Sequence, residues 1–199
     1  MNKVLVHTLT ARLLHWLNML AITLLTLSGF YIHAPLVFSV FPSMDKARLI
    51  HFTFMYIVIF SVGFRIFYAF RQGEAGEIAF HPRDIKGIPG LIRYYLFVSD
   101  RMPDYGKFNP GQKAMYTAWA LLIGVQGITG FILYWPGPLG YLGYLLGGLA
   151  MVRLVHYLIT WIFVCTVIVH VYLVFISGFE VFKSMITGYI PQNQAHGGQ

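Results

Sequence analysis

Four stretches of the chain run apolar almost without interruption, at about residues 12–32, 48–70, 114–134 and 151–177. At ~1.5 Å of rise per residue each is long enough to cross a hydrocarbon core of ~30 Å as a helix. The polar residues gather between them. Residues 33–47 ("HAPLVFSVFPSMDKA") form a short apolar hairpin with two prolines, and residues 135–150 ("WPGPLGYLGYLLGGLA") are glycine-rich and uncharged. The longest connection, 71–113, holds most of the charge. Within it, "IKGIPGLIRYYLFVSD" (85–100) sets Ile88, Leu91, Ile92, Tyr95 and Leu96 on one side of a helix. Two readings share that periodicity: an amphipathic helix on the membrane interface, and a helix packed on its own bundle. No internal repeat or second domain is visible. The pattern predicts an all-α, integral membrane four-helix bundle occupying 1–199 as a single domain.

Composition supports a membrane class. The chain is 57% apolar and only 11% charged, against about 25% charged in soluble proteins. The first span is expected to be retained rather than cleaved as a leader, because it lacks an A-x-A site and carries His15 near its start. The net charge of +7 is a topology signal. With the N-terminus in the cytoplasm, the inner ends and loops hold Lys3, Arg12, Arg65, Arg71, Arg83, Lys86, Arg93, Arg101, Lys107, Lys113 and Lys183. The outside holds Lys46, Arg48 and Arg153. That asymmetry predicts an inner-membrane protein with both termini and the 71–113 loop cytoplasmic. No soluble basic face for nucleic acid is evident. The single cysteine, Cys165, excludes an internal disulfide and a C-x-x-C-H haem attachment. With no nucleophile constellation or phosphate loop, no catalysis is expected from the chain alone.

Histidines carry the candidate chemistry. His7, His81 and His196 fall outside the spans, and His33 sits at the outer end of the first. The other four lie within spans, where a polar ring without a partner is costly. His156 and His170 are fourteen residues apart, about 21 Å along a helix and within about 40° of whole turns. They therefore point from one face near opposite sides of the bilayer. Alternating helix direction puts His51 at the depth of His156, and His15 at the depth of His170. Facing imidazoles across a bundle make a bis-histidine axial site, so the pattern predicts two b haems stacked across the bilayer. Zinc would want three or four ligands at one depth; an interhelical hydrogen bond is the bland alternative for any one histidine. Gly29 lies fourteen residues above His15, at the outer depth, where a side chain would collide with a macrocycle. "GVQGITG" sets Gly124, Gly127 and Gly130 three apart, fitting either a close flat ring or helix–helix packing. Arg12, Arg48 and Arg153 each precede a histidine by three, and Arg65 ends the second span. They fit haem propionates, or simple snorkelling to the interface.

"RLLHWLN" (12–18), "SGFYI" (28–32), "RLIHF" (48–52), "RIFYAF" (65–70), "RYYLF" (93–97), "NPGQK" (109–113), "ITGFILY" (128–134) and "ITGY" (186–189) resemble the dihaem cytochrome b subunits of membrane-bound nickel–iron hydrogenases. The same superfamily holds the gamma subunits of formate dehydrogenases and thiosulfate reductase-type cytochromes. "RLIHF", "RIFYAF" and "RYYLF" lean toward the hydrogenase branch, whereas "FNPGQK" and "GFEVFKSMITGY" lean toward the formate dehydrogenase branch. The resemblance implies electron transfer from an iron–sulfur subunit and a large catalytic subunit outside the membrane, through the outer and inner haems, to menaquinone or ubiquinone. It further implies proton uptake from the cytoplasm, and leaves room for an oligomer of complexes. By the same resemblance the quinone pocket lies beside the inner haem, mapping to Asn109 and Gly111, with Gln112 as a further polar group. Amide donors there suit a quinone carbonyl, but Asn-Pro-Gly is equally a turn and cap signal. The alternative of another class is a free-standing transmembrane b-type reductase of the cytochrome b561 or superoxide oxidase kind.

Overall fold

The computed structural model describes residues 3–106 and 108–192, so Lys107 and His196, both used above, lie outside the described residues. In chain order the elements are β1 (Lys3–Leu5), α1 (Leu9–His33), α2 (Met44–Arg71), α3 (Ala75–Ile78), a 3-10 turn (Pro82–Gly87), α4 (Ile88–Tyr95), α5 (Pro110–Tyr134), α6 (Gly140–Leu145), α7 (Leu149–Ile176), α8 (Phe179–Thr187) and β2 (Tyr189–Pro191). The four apolar stretches fall within α1, α2 and α5 and, but for its last residue, within α7, all long and apolar enough to span a membrane. Large apolar side chains on these helices point outward, as Phe60, Leu121, Ile168 and Phe175 do. In water that would be a liability; in lipid it is the solvated state. The fold is an all-α membrane bundle with one small β exception.

Local chemistry sets the element ends. The Thr8 hydroxyl accepts the Ala11 amide at the start of α1. The short connection from α7 to α8 passes through Gly178 at φ 102°, and α8 stops at Gly188, φ 91°, whose amide reaches the Ser184 carbonyl. Both backbone states favour glycine. The expected 85–100 helix is shorter, broken into the 3-10 turn and α4, with Pro89 inside the first helical turn. Its apolar side is divided: Leu91 is buried, while Ile92 and Leu96 are exposed. The glycine-rich 135–150 connection, read as a loop, contains α6.

The chain forms two compact units, and each long helix contributes to both. Among the described residues the central unit comprises 13–65 and 121–165, and the terminal unit 3–12, 66–106, 108–120 and 166–192. In the terminal unit β1 and β2 pair antiparallel, Val4 opposite Ile190. These short strands are too brief for any alternation to announce them. In the same unit the Tyr105 hydroxyl donates to the Gly87 carbonyl at 2.8 Å. A Cβ on Gly87 would sit 2.7 Å from Pro110, so this glycine permits the close approach of α5's first residue.

Candidate functional site

The central unit contains a cavity of about 710 Å³, within the range of cofactor pockets. Its walls are mostly apolar, from Ile22 and Leu25 on α1, Met55 and Val58 on α2, and Leu133 on α5. His51 from α2 and His156 from α7 both line it. So do Gly29 and Gly127, with Arg48, Arg153 and His33 at the end where their helices meet the connections. The structure thus brings together seven residues singled out from the sequence: Gly29, Arg48, His51, Gly127, Gly130, Arg153 and His156.

The imidazoles are held in matching fashion. His51 Nδ1 lies 3.0 Å from the Ser28 hydroxyl on α1, and His156 Nδ1 lies 2.8 Å from the Thr129 hydroxyl on α5. The following residue is glycine in both cases. A Cβ on Gly29 would meet His51 Cε1 at 3.3 Å, and one on Gly130 would meet His156 Cε1 at 3.5 Å. Gly29 therefore makes room first for the imidazole itself, rather than only for a macrocycle. Gly127 faces Ile59, with 3.5 Å available to a Cβ. Beyond the rings, His33 stacks on Tyr157 at 4.3 Å between centroids. Gln126 donates to the His156 carbonyl and to the Thr160 hydroxyl, which tethers α5 to α7 beside the His156 ring.

Haem b fits this set of residues. Two imidazoles, an apolar box, glycines against the rings and cationic groups at one end match the requirements of a bis-histidine iron with two propionates. Among the described residues no group of three or more His, Cys, Asp or Glu could hold a bare metal ion.

The remaining sequence candidates sit elsewhere. His15 is in the central unit, edge-on to Trp16 at 5.2 Å, and His170 is in the terminal unit, edge-on to Trp119 at 5.2 Å. Trp119 is held by its own indole N–H, which donates to the Thr166 hydroxyl at 2.9 Å, one turn before His170. Arg65 belongs to the central unit but not to the walls of the cavity. Arg12 donates to the Ile186 carbonyl at the C-terminal end of α8, a favourable place for a cation on the helix dipole. Its neighbour His7 is held below the ordinary imidazole value by burial and then by the Arg12 guanidinium.

Asn109 and Gln112 form a reciprocal cap on α5. The Asn109 amide N–H donates to Gln112 Oε1 and the Gln112 N–H to Asn109 Oδ1, both at 2.9 Å. A Cβ on Gly111 would stand 2.8 Å from Leu91. The cap and turn chemistry expected of Asn-Pro-Gly is thus present in full. It engages the two side-chain oxygens and leaves the carboxamide NH₂ groups as the donors on offer. Nearby, Asp84 accepts from Lys113 at 3.0 Å and from the His81 amide at 2.7 Å.

Sequence reasoning missed Ser28, Thr129, His33 and Gln126. One signal was present: "SGF" at 28–30 and "TGF" at 129–131 repeat a hydroxyl, a glycine and a phenylalanine on two helices.

A multi-span membrane protein with a histidine-lined apolar cavity belongs to the b-type cytochrome class. Comparison with known proteins specifies the family: the chain belongs to the prokaryotic cytochrome b561 family, matched over residues 6–188. It is 31% identical to a protein of Cupriavidus necator named as a probable Ni/Fe-hydrogenase B-type cytochrome subunit, over 92% of this chain and 85% of that one. A protein of the same name from Azotobacter vinelandii is 30% identical, over 94% and 88%. A protein of Escherichia coli named as a probable Ni/Fe-hydrogenase 1 B-type cytochrome subunit is 29% identical, over 89% and 86%.

Proposed function

We propose that the chain is the membrane-anchoring dihaem cytochrome b subunit of a nickel–iron hydrogenase, passing electrons between that enzyme and the quinone pool. The observation that carries the reading is the pair of imidazoles, His51 and His156, lining one apolar cavity with their Nδ1 atoms already engaged. When bound, haem b supplies an iron that cycles between ferric and ferrous by single electrons. His51 and His156 hold the outer group, with Arg48, Arg153 and His33 placed for its propionates. His15 and His170 hold the inner one; their pairing rests on the fourteen-residue spacing of α7. Arg12 and Arg65 belong to the inner surroundings in this reading. The relatives' names favour hydrogenase over formate dehydrogenase as the partner. An iron–sulfur subunit and a large catalytic subunit then dock outside the inner membrane, with both termini of this chain in the cytoplasm. Menaquinone or ubiquinone binds near Asn109, Gly111 and Gln112, whose amide NH₂ groups donate to a quinone carbonyl.

A pyridine haemochrome assay on the purified chain tests the core of this reading. Two b haems per chain are expected, with about one lost in His51→Ala and about one in His170→Ala. A single haem, or one lost in neither variant, sinks the paired arrangement. Affinity purification from membranes tests the partner: recovery of a large hydrogenase subunit is expected, and a haem-loaded chain that purifies alone favours the free-standing reductase instead.

A further inference from the structure

The two hydroxyls beside the cavity do more than satisfy their own helices. Ser28 is fully buried and Thr129 is 3% exposed. The Ser28 hydroxyl donates to the Leu24 carbonyl at 2.5 Å, and the Thr129 hydroxyl to the Val125 carbonyl at 2.7 Å. A hydroxyl has one proton to give. With that proton committed four residues back, each oxygen faces its imidazole as an acceptor. Nδ1 of His51 and of His156 must then carry the hydrogen. In a neutral imidazole this leaves Nε2 with its lone pair. Among the described residues neither Nε2 has a hydrogen-bond partner, and neither is a buried orphan.

We propose that Ser28 and Thr129 are positioning residues for the haem ligands, each fixing its histidine in the Nδ1–H tautomer with Nε2 presented to the cavity. The proposal rests on the reading of His51 and His156 as the ligands of one haem. Glycine completes the device: Gly29 and Gly130 let the Cε1 edge of each ring settle against the neighbouring helix while the hydroxyl, one residue earlier, takes the Nδ1 proton. The ligand side chains come from α2 and α7 and their acceptors from α1 and α5, so ring orientation is set across helix pairs.

A hydrogen bond accepted from Nδ1–H makes the imidazole a stronger donor and stabilises the ferric state. Thr129→Val is therefore expected to raise the midpoint potential of this haem, favouring the ferrous state by up to tenfold, which is about 59 mV for one electron. It should also change the low-spin ferric electron paramagnetic resonance signal of this haem. The other haem should not move in either measurement. Ser28→Ala should act in the same direction, and Thr129→Ser should restore the native values. Redox titration of the intact complex, with the haem identified by its loss in His51→Ala, supplies the readout. An unchanged potential and signal in the Ser28→Ala/Thr129→Val double variant at full haem content overturns the proposal and leaves the hydroxyls as internal helix bonds. Loss of this haem in Thr129→Val that Thr129→Ser does not restore overturns it too, since the hydroxyl is then not what matters. No haem lost in His51→Ala would instead overturn the underlying ligand assignment, which separates the two failures.

Discussion

At Gly29 a single hydrogen in place of a methyl group decides how close α1 lies to the His51 ring. Gly29→Ala puts a carbon 3.3 Å from His51 Cε1, tighter than ordinary contact, so the imidazole has to yield by a few tenths of an ångström. Overpacking of that kind costs about 1–3 kcal/mol in a well-packed interior. The expected outcome is reduced haem content at this site in purified Gly29→Ala protein, measured per chain by haemochrome. Gly63→Ala on α2 is the matched control: nothing lies within 4 Å of its new methyl group, and full haem content is expected. The candidate histidines were legible in the sequence because a histidine in a span is expensive and fourteen-residue spacing keeps two of them on one face. Ser28 and Thr129 were not. A hydroxyl in a membrane helix satisfies itself on its own backbone, so the repeated hydroxyl–glycine–phenylalanine triplet gains meaning only once a neighbouring ring lies within 3.0 Å.

The N-terminus of α5 caps an element through Asn109 and Gln112, and the proposed function assigns the same motif a ligand. Asn109→Ala removes the cap and is expected to lower stability by about 0.5–2 kcal/mol. Loss of activity in that variant would be ambiguous. Asn109→Asp is the sharper change: it keeps the oxygen that accepts the Gln112 amide, adds a charge suited to a helix N-terminus, and deletes the carboxamide donors. If Asn109 serves quinone, Asn109→Asp should retain native thermal stability and raise KM for quinone in hydrogen-driven turnover; an unchanged KM assigns the residue to capping alone. The connection preceding α5 has its own pH dependence. Hydrogen bonds from the His81 amide and then from Lys113 hold the Asp84 carboxyl below its ordinary range. A depressed carboxyl stabilises the fold above its unfolded value of about 3.9 and loses that contribution as pH falls through the lower, folded value. Hydrogen-exchange protection factors across residues 81–106 and 108–113 should fall on acidification below about pH 4, and Asp84→Asn should flatten that pH dependence. Sequence reading placed the cap motif correctly in a loop before a span. It gave the 85–100 helix too much length, because apolar spacing does not register a proline and a 3-10 turn as interruptions.

For the molecule as a whole, the chain's charge asymmetry and its strand pairing speak to topology independently. β1 and β2 join residues 3–5 to 189–191, which places both ends on one side of the membrane whatever the charges say. In the proposed topology the charges choose the side, since lysines and arginines are retained in the cytoplasm at short loops. No periodicity argument reaches the strand pair: three residues at each end of a 199-residue chain become neighbours only after four spans return the C-terminus. In a Cys165→Ala background, Lys3→Cys should be silent to a membrane-impermeant maleimide in intact spheroplasts and react once the membrane is opened. Pro136→Cys, on the opposite connection, should react in both conditions. Labelling of Lys3→Cys in intact cells with Pro136→Cys protected would invert the topology. It would then put Asn109 on the side from which the hydrogenase is expected to approach, so proton uptake by quinone would no longer follow from the inner face. Labelling at both positions would contradict the three crossings between them.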